Sequence, residues 1–203
     1  MSTNNGMASD ALPPQIRIRQ ETAGVPLTPS RDDLVAGLHA RGVCYLTPSP
    51  SGDERSLTDA ELIAGVAAAE DARLRFALAG LFLVRPALAA VAVDIERTLS
   101  GAARDELRKQ YVAAVYLQRL WRTHLRLQFG ETELIPEHFT AEMGLPGPEQ
   151  MHGELGLRLL CERSPYNDWS SYQQVIDLLD SQPCASGDII PLHAADPSHT
   201  GRQ

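Results

Sequence analysis

Residues 104–130 constrain the fold most, because they combine a row of arginines with an apolar surface at helical spacing. At 100° per residue, five arginines fall within about 60° of one another on one side of a helix. Apolar side chains occupy most of the remaining circumference, which predicts burial against more than one neighbour. We name these arginines the arginine ridge: Arg104, Arg108, Arg119, Arg122 and Arg126. The pattern predicts a long central helix in a mainly α protein.

Start and stop signals divide most of the chain into helices. Ser100 is expected to begin the central helix and Gly130 to end it, which gives one uninterrupted helix of about 29 residues. Capping boxes predict helix starts at Ser30 and Thr58, and Pro86 can open a helix that it could not continue. The other helices are expected over residues 30–40, 57–70, 72–84, 87–99, 154–163 and 169–181.

Composition predicts one folded body with extensions. Residues 1–14 are polar and residues 182–203 lack periodicity, so we expect a disordered leader and a disordered tail. Residues 15–56 are expected to form a small N-terminal appendage and a linker. Residues 57–181 then form a single helical, bundle-like domain, a size that suits one hydrophobic core.

Three shorter stretches have no helical period. Residues 15–20 alternate between apolar and charged side chains, which predicts a short strand. Residues 43–46 predict a brief extended segment. Residues 131–150 contain three prolines and irregularly spaced apolar residues, and we expect an extended arm over the helical body.

The charge of the chain argues against general nucleic-acid binding. The formal net charge is −8, and residues 131–203 carry 3 basic and 12 acidic groups. Such a segment opposes the phosphate contacts that supply most non-specific affinity. Lys109 is the only lysine, so Schiff-base chemistry and a lysine-containing phosphate loop have almost no candidates.

The cysteines and the N-terminus predict a cytoplasmic protein. Cys44, Cys161 and Cys184 are odd in number and widely spaced, which favours free thiols. Residues 1–14 have neither the basic start nor the apolar core of a secretory signal. The apolar residues 76–93 are interrupted by a charge and a proline, so we expect two short buried helices and no membrane span.

No pattern predicts a catalytic, cofactor or metal site. The histidines lack zinc-helix spacing, and His124 falls in the apolar sector of the central helix, where a core histidine is expected. Cys161 lies within a leucine-rich helical pattern and is predicted to be core. Trp121 is also predicted to be buried, and residues 164–169 are predicted to form a turn anchored by a tryptophan.

The arginine ridge is the main functional candidate, with Tyr111 and Val115 flanking it. It can pair with the carboxylates of residues 131–203, bind an acidic protein, or bind nucleic acid. We expect a non-catalytic interaction or accessory subunit that binds a protein partner through the ridge, Tyr111 and Val115. The alternatives are a nucleic-acid-associated regulator that uses the ridge, and an enzyme with dispersed catalytic residues.

Overall fold

The computed structural model describes residues 28–47, 55–163 and 168–182, and in these ranges it contains eight α-helices and no β-strand. The prediction of a mainly α protein is confirmed. Short 3-10 turns, Pro86–Leu88 and Gln150–Gly153, lead into the fourth and seventh helices. The helices are α1 (Arg31–His39), α2 (Asp59–Ala68), α3 (Ala72–Val84), α4 (Ala89–Glu96), α5 (Gly101–Leu120), α6 (Arg122–Phe129), α7 (Glu154–Glu162) and α8 (Trp169–Ser181).

Local signals set most helix ends as predicted. Both capping boxes are formed: the Ser30 hydroxyl accepts from the backbone N–H of Asp33, and the Thr58 hydroxyl accepts from that of Glu61. Pro86 opens the 3-10 turn before α4, although that helix ends at Glu96 rather than near residue 99. Residues 131–149, which we name the arm, have no helix or strand, as predicted.

The prediction of one uninterrupted central helix is wrong, because the helix is broken at one residue. Trp121 has φ −105° and ψ 20°, which are not helical values, and it separates α5 from α6. Angles extrapolated along one straight helix therefore do not carry over unchanged beyond Trp121. Gly130, with φ 81°, ends α6 as predicted.

α5 is the central helix, as predicted. It contacts α2, α3, α4, α6 and α7. All nine residues from 110 to 118 are buried, so the middle of α5 is covered on every side. α7 lies very close to α5 at Gly156, where a Cβ would be only 2.1 Å from the ring of Tyr116. Glycine allows this approach because it has no Cβ.

The described part of the predicted appendage packs into the same core. α1 contacts α2 and α3, and its residues Leu34, Val35 and Leu38 are buried with them. Residues 43–46 do not form a strand. The predicted leader, the predicted strand at 15–20 and nearly all of the predicted tail lie outside the described residues. Gln182, predicted to begin the tail, is buried and donates from its amide to the Gly42 carbonyl oxygen.

The prediction that all cysteines are free is wrong for Cys44, which is disulfide-bonded. Cys161 is free, and Cys184 lies outside the described residues. The Gln182 side chain accepts a hydrogen bond from the Cys44 backbone N–H at 2.8 Å, so the end of α8 returns to this segment, a proximity that sequence spacing does not reveal. Disulfides are rare in cytosolic proteins, so the cytoplasmic prediction loses the support it drew from the cysteines.

None of the described helices is by itself long and apolar enough to span a membrane. Taken together, α3 and residues 86–96 have the length and composition of a membrane span, but the two segments are bent by 112° relative to each other.

Candidate functional site

The arm covers the cationic side of α5. The buried amide of Gln118 donates to the Glu133 carbonyl oxygen at 2.8 Å and accepts from the Ile135 backbone N–H at 2.7 Å. The hydroxyls of Tyr111 and Tyr116 donate to the carbonyl oxygens of two arm prolines, at 2.9 and 2.6 Å. Proline has no backbone N–H, so its carbonyl oxygen is its only backbone hydrogen-bonding group. Side chains of α5 donate a hydrogen bond to this oxygen in both prolines. Side chains of α5 therefore hold the arm along its length.

The first part of the ridge surrounds a buried carboxylate. Glu96 is only 5% exposed, and its Oε1 accepts from Arg104 Nε at 2.5 Å and from Arg108 Nε at 2.7 Å. Hydrogen bonds from Arg104 and then Arg108 hold the pKa of the Glu96 carboxyl below the ordinary range of a glutamate, although desolvation opposes them. Arg108 also donates to Glu142 of the arm at 2.8 Å. Glu96 is not recognisable from the sequence as a partner of the ridge, because a glutamate at a helix end is usually solvated.

The middle of the ridge is also paired. The Arg119 side chain is only 10% exposed, and its Nε donates to Glu149 of the arm at 3.0 Å. Its other nitrogens donate to the Gln118 side chain and, at 3.4 Å, to the Ile135 carbonyl oxygen. Arg119 therefore contacts the arm through two different nitrogens of its guanidinium group.

Tyr111 and Val115, predicted to flank the ridge and to contact a partner, are both fully buried. The Tyr111 ring makes edge contacts with Phe82 of α3 and with Phe139 of the arm, at 5.2 Å in each case. Both residues therefore lie in the core, and in the folded chain they have no surface to offer a partner.

The end of the ridge remains exposed on α6. Arg126 reaches Glu131 at 3.3 Å, whereas Arg122 has no carboxylate partner among the described residues. Leu127, which also belongs to α6, is 79% exposed. Leu134 of the arm is 41% exposed and lines a shallow recess together with both arginines. This set, Arg122, Arg126, Leu127 and Leu134, is named the α6 surface.

Two predictions about α6 are wrong, and the predicted burial of Trp121, which packs against the core, is only partial. His124 is no core histidine: it is partly exposed, and its Nε2 lies 2.8 Å from Asp180 Oδ2 of α8. Leu127, placed in the apolar sector from the sequence, points to solvent.

The titratable groups outside the ridge suggest no reaction. Within the described ranges no three His, Cys, Asp or Glu side chains come together as metal ligands. Cys161 is half-buried, and its burial raises the pKa of the thiol to about 11, which leaves it protonated and a poor nucleophile at neutral pH. Trp169, predicted to anchor a turn, is 37% exposed at the start of α8, and residues 164–167 lie outside the described residues.

Comparison with protein-family models, with curated proteins and with solved structures finds no match.

Proposed function

We propose that this protein is a non-catalytic interaction or accessory subunit, and that it binds a protein partner through the α6 surface. The observation that carries the proposal is the exposure of Leu134 in one recess with Arg122 and Arg126, together with the exposed Leu127 on the same helix. An isolated exposed leucine needs no explanation. Arginine is enriched at interaction sites, and an exposed leucine beside a guanidinium group that lacks a carboxylate partner allows a partner to combine apolar burial with a charged hydrogen bond.

The proposal concerns a smaller set of residues than the ridge predicted from sequence. Arg104, Arg108 and Arg119 are paired with carboxylates, and a partner would have to displace those contacts to reach them. Among the described residues, Arg122 has no carboxylate contact that a partner would have to displace. A partner that fits this surface presents at least one carboxylate next to an apolar side chain.

Nucleic-acid binding remains the alternative, and the geometry gives it less support. A phosphate backbone needs several unpaired cations in a row, whereas four of the five ridge arginines face carboxylates. The protein as a whole is acidic, which adds a repulsive term at long range.

Site-specific crosslinking tests the proposal. A photoreactive amino acid at Leu127 should form a defined protein adduct in cells, whereas the same group at Met151, which is also exposed, should not. The captured protein is then purified and titrated with wild type and with Arg122→Glu. We expect the charge reversal to weaken binding at least tenfold, while Arg158→Glu, an exposed control on α7, leaves it unchanged.

Two results would overturn the proposal. One is a captured protein that binds wild type and an Arg122→Glu, Leu127→Asp double variant equally well. The other is a shift of an RNA or DNA probe by wild type whose affinity falls steeply with salt, with about 0.7–0.9 in logarithmic slope per phosphate. That second outcome would favour the nucleic-acid alternative.

A further inference from the structure

A cavity of about 530 Å³ lies between α3, α8, the start of α1 and the segment after it. Its volume is within the range of small-molecule binding sites, about 300–1,000 Å³. It is far along the chain from the α6 surface, and none of its lining residues belongs to the ridge. Its apolar lining consists of Tyr45, Leu46, Phe76, Val175 and Leu178.

The wall formed by α8 follows from helical spacing. Ser171, Gln174, Val175 and Leu178 lie at i, i+3, i+4 and i+7, so they share one face. The neighbouring face packs into the core, where the Tyr172 ring meets the edge of Phe76 at 5.6 Å. α8 is thus held against α3 on one face, and the next face borders the cavity.

The cavity has a cationic end and an apolar end. Arg31 and Arg73 both line it, and both contact Asp71, the N-cap of α3. Tyr45 packs against Gly80 of α3. Gly80 is seven residues after Arg73, which corresponds to about 10 Å along the helix axis. The two ends are therefore separated along the axis of α3.

Arg73 is the cation available to a ligand. Arg31 reaches Asp71 at 3.4 Å and Asp32 at 3.9 Å, so its charge is partly neutralised. Arg73 contacts Asp71 only through its backbone N–H, and its exposed side chain makes no ion pair or hydrogen bond with the described residues. A guanidinium group in this position can bind a carboxylate through two parallel hydrogen bonds.

We propose that this cavity binds a single-chain amphiphile with a carboxylate headgroup. The headgroup pairs with Arg73, and the hydrocarbon chain runs along Phe76 and Val175 towards Tyr45. Burial of the chain supplies the affinity, and the arginine sets the orientation. This site is independent of the α6 surface, so the failure of either proposal leaves the other standing.

Calorimetric titration with a homologous series tests the apolar half of the proposal. Octanoate, nonanoate and decanoate are used below their micelle concentrations, with acetate as the headgroup alone. Each added methylene should tighten binding roughly fourfold, since about 0.8 kcal/mol accompanies the burial of each CH₂. An affinity independent of chain length, acetate binding as tight as that of decanoate, or no binding at all would overturn it.

Variants test the charged half. Arg73→Gln should weaken decanoate about tenfold and leave decan-1-ol unchanged, because only the carboxylate uses the guanidinium group. Arg97→Gln, at an exposed site directly after α4, is the control and should change neither titration. Leu178→Trp, at a half-buried wall position, should reduce binding of both ligands while the helical circular dichroism spectrum is retained. Decanoate affinity equal to wild type in Arg73→Gln would overturn the assignment.

Discussion

Glu96 offers the sharpest test of how the ridge is held. Replacing it with glutamine keeps the shape of the side chain and removes its negative charge. The carboxylate lies between two arginines, almost out of contact with solvent. We expect Glu96→Gln to fold, and to be less stable than wild type at neutral pH.

The size of the loss follows from the contacts. Glu96 accepts from two guanidinium groups, and each charged hydrogen bond contributes about 1.5–3 kcal/mol. Glutamine retains an oxygen acceptor, and both arginines are partly exposed, so water replaces part of what they lose. We therefore expect the free energy of unfolding to fall by about 1.5–3 kcal/mol in total rather than by twice that. In a protein of this size the corresponding fall in Tm is roughly 3–12 °C.

The assay is urea unfolding of both proteins over a range of pH. Because the folded-state pKa of Glu96 is lowered, the unfolded state binds more protons, and the contact stabilises fully only above the unfolded-state pKa. The difference between the proteins should start to narrow as the pH falls below about 4.3, the ordinary glutamate pKa. It should vanish below the lowered pKa of the folded state.

Glu142→Gln is the matched control, since Glu142 also pairs with Arg108 but is 61% exposed. Its loss should be under about 1 kcal/mol, as for other surface ion pairs. If Glu96→Gln is as stable as wild type at pH 7, or if the difference persists unchanged at pH 3, the stabilising role assigned to Glu96 is wrong.

Three further predictions concern packing and exposure. Gly156→Ala should lower the free energy of unfolding, measured with urea, by about 1–3 kcal/mol or more, because its Cβ would overlap the Tyr116 ring. The control is Gly147→Ala, where a Cβ meets only ordinary contacts, and its free energy of unfolding should stay within about 0.5 kcal/mol of wild type. Gln118→Ala should speed hydrogen exchange in the arm more than in α3, because it removes two hydrogen bonds to the arm backbone; equal exchange would contradict this. Cys161 should react slowly with iodoacetamide at pH 8 and quickly in denaturant, measured by peptide mass spectrometry, because burial keeps the thiol protonated; fast labelling of the native protein would contradict it.

The sequence alone determined the helices and most of their ends. Capping boxes at Ser30 and Thr58, the proline at position 86 and the glycine at position 130 act through neighbouring backbone groups, so a local pattern is enough to recognise them. The central position of α5 was also predictable, because a wide apolar surface requires several neighbours.

Only the tertiary structure decided what covers the ridge. Periodicity shows that arginines share a face, but it holds no information on which distant carboxylates come near them. Glu142 and Glu149 reach the ridge because Gln118 and two tyrosines bind the backbone of an arm that has no regular structure of its own. Those contacts join residues 15 to 34 positions apart.

The α6 surface depended on tertiary structure for a related reason. A single residue with non-helical backbone angles, Trp121, ended the continuous register from which the positions of His124 and Leu127 were inferred. Helical angles accumulate along the chain, so positions inferred across a break no longer share one reference angle. The amino-acid pattern determined that a cationic, apolar helix would form, whereas long-range packing determined that Arg122 and Leu127 stay exposed to solvent.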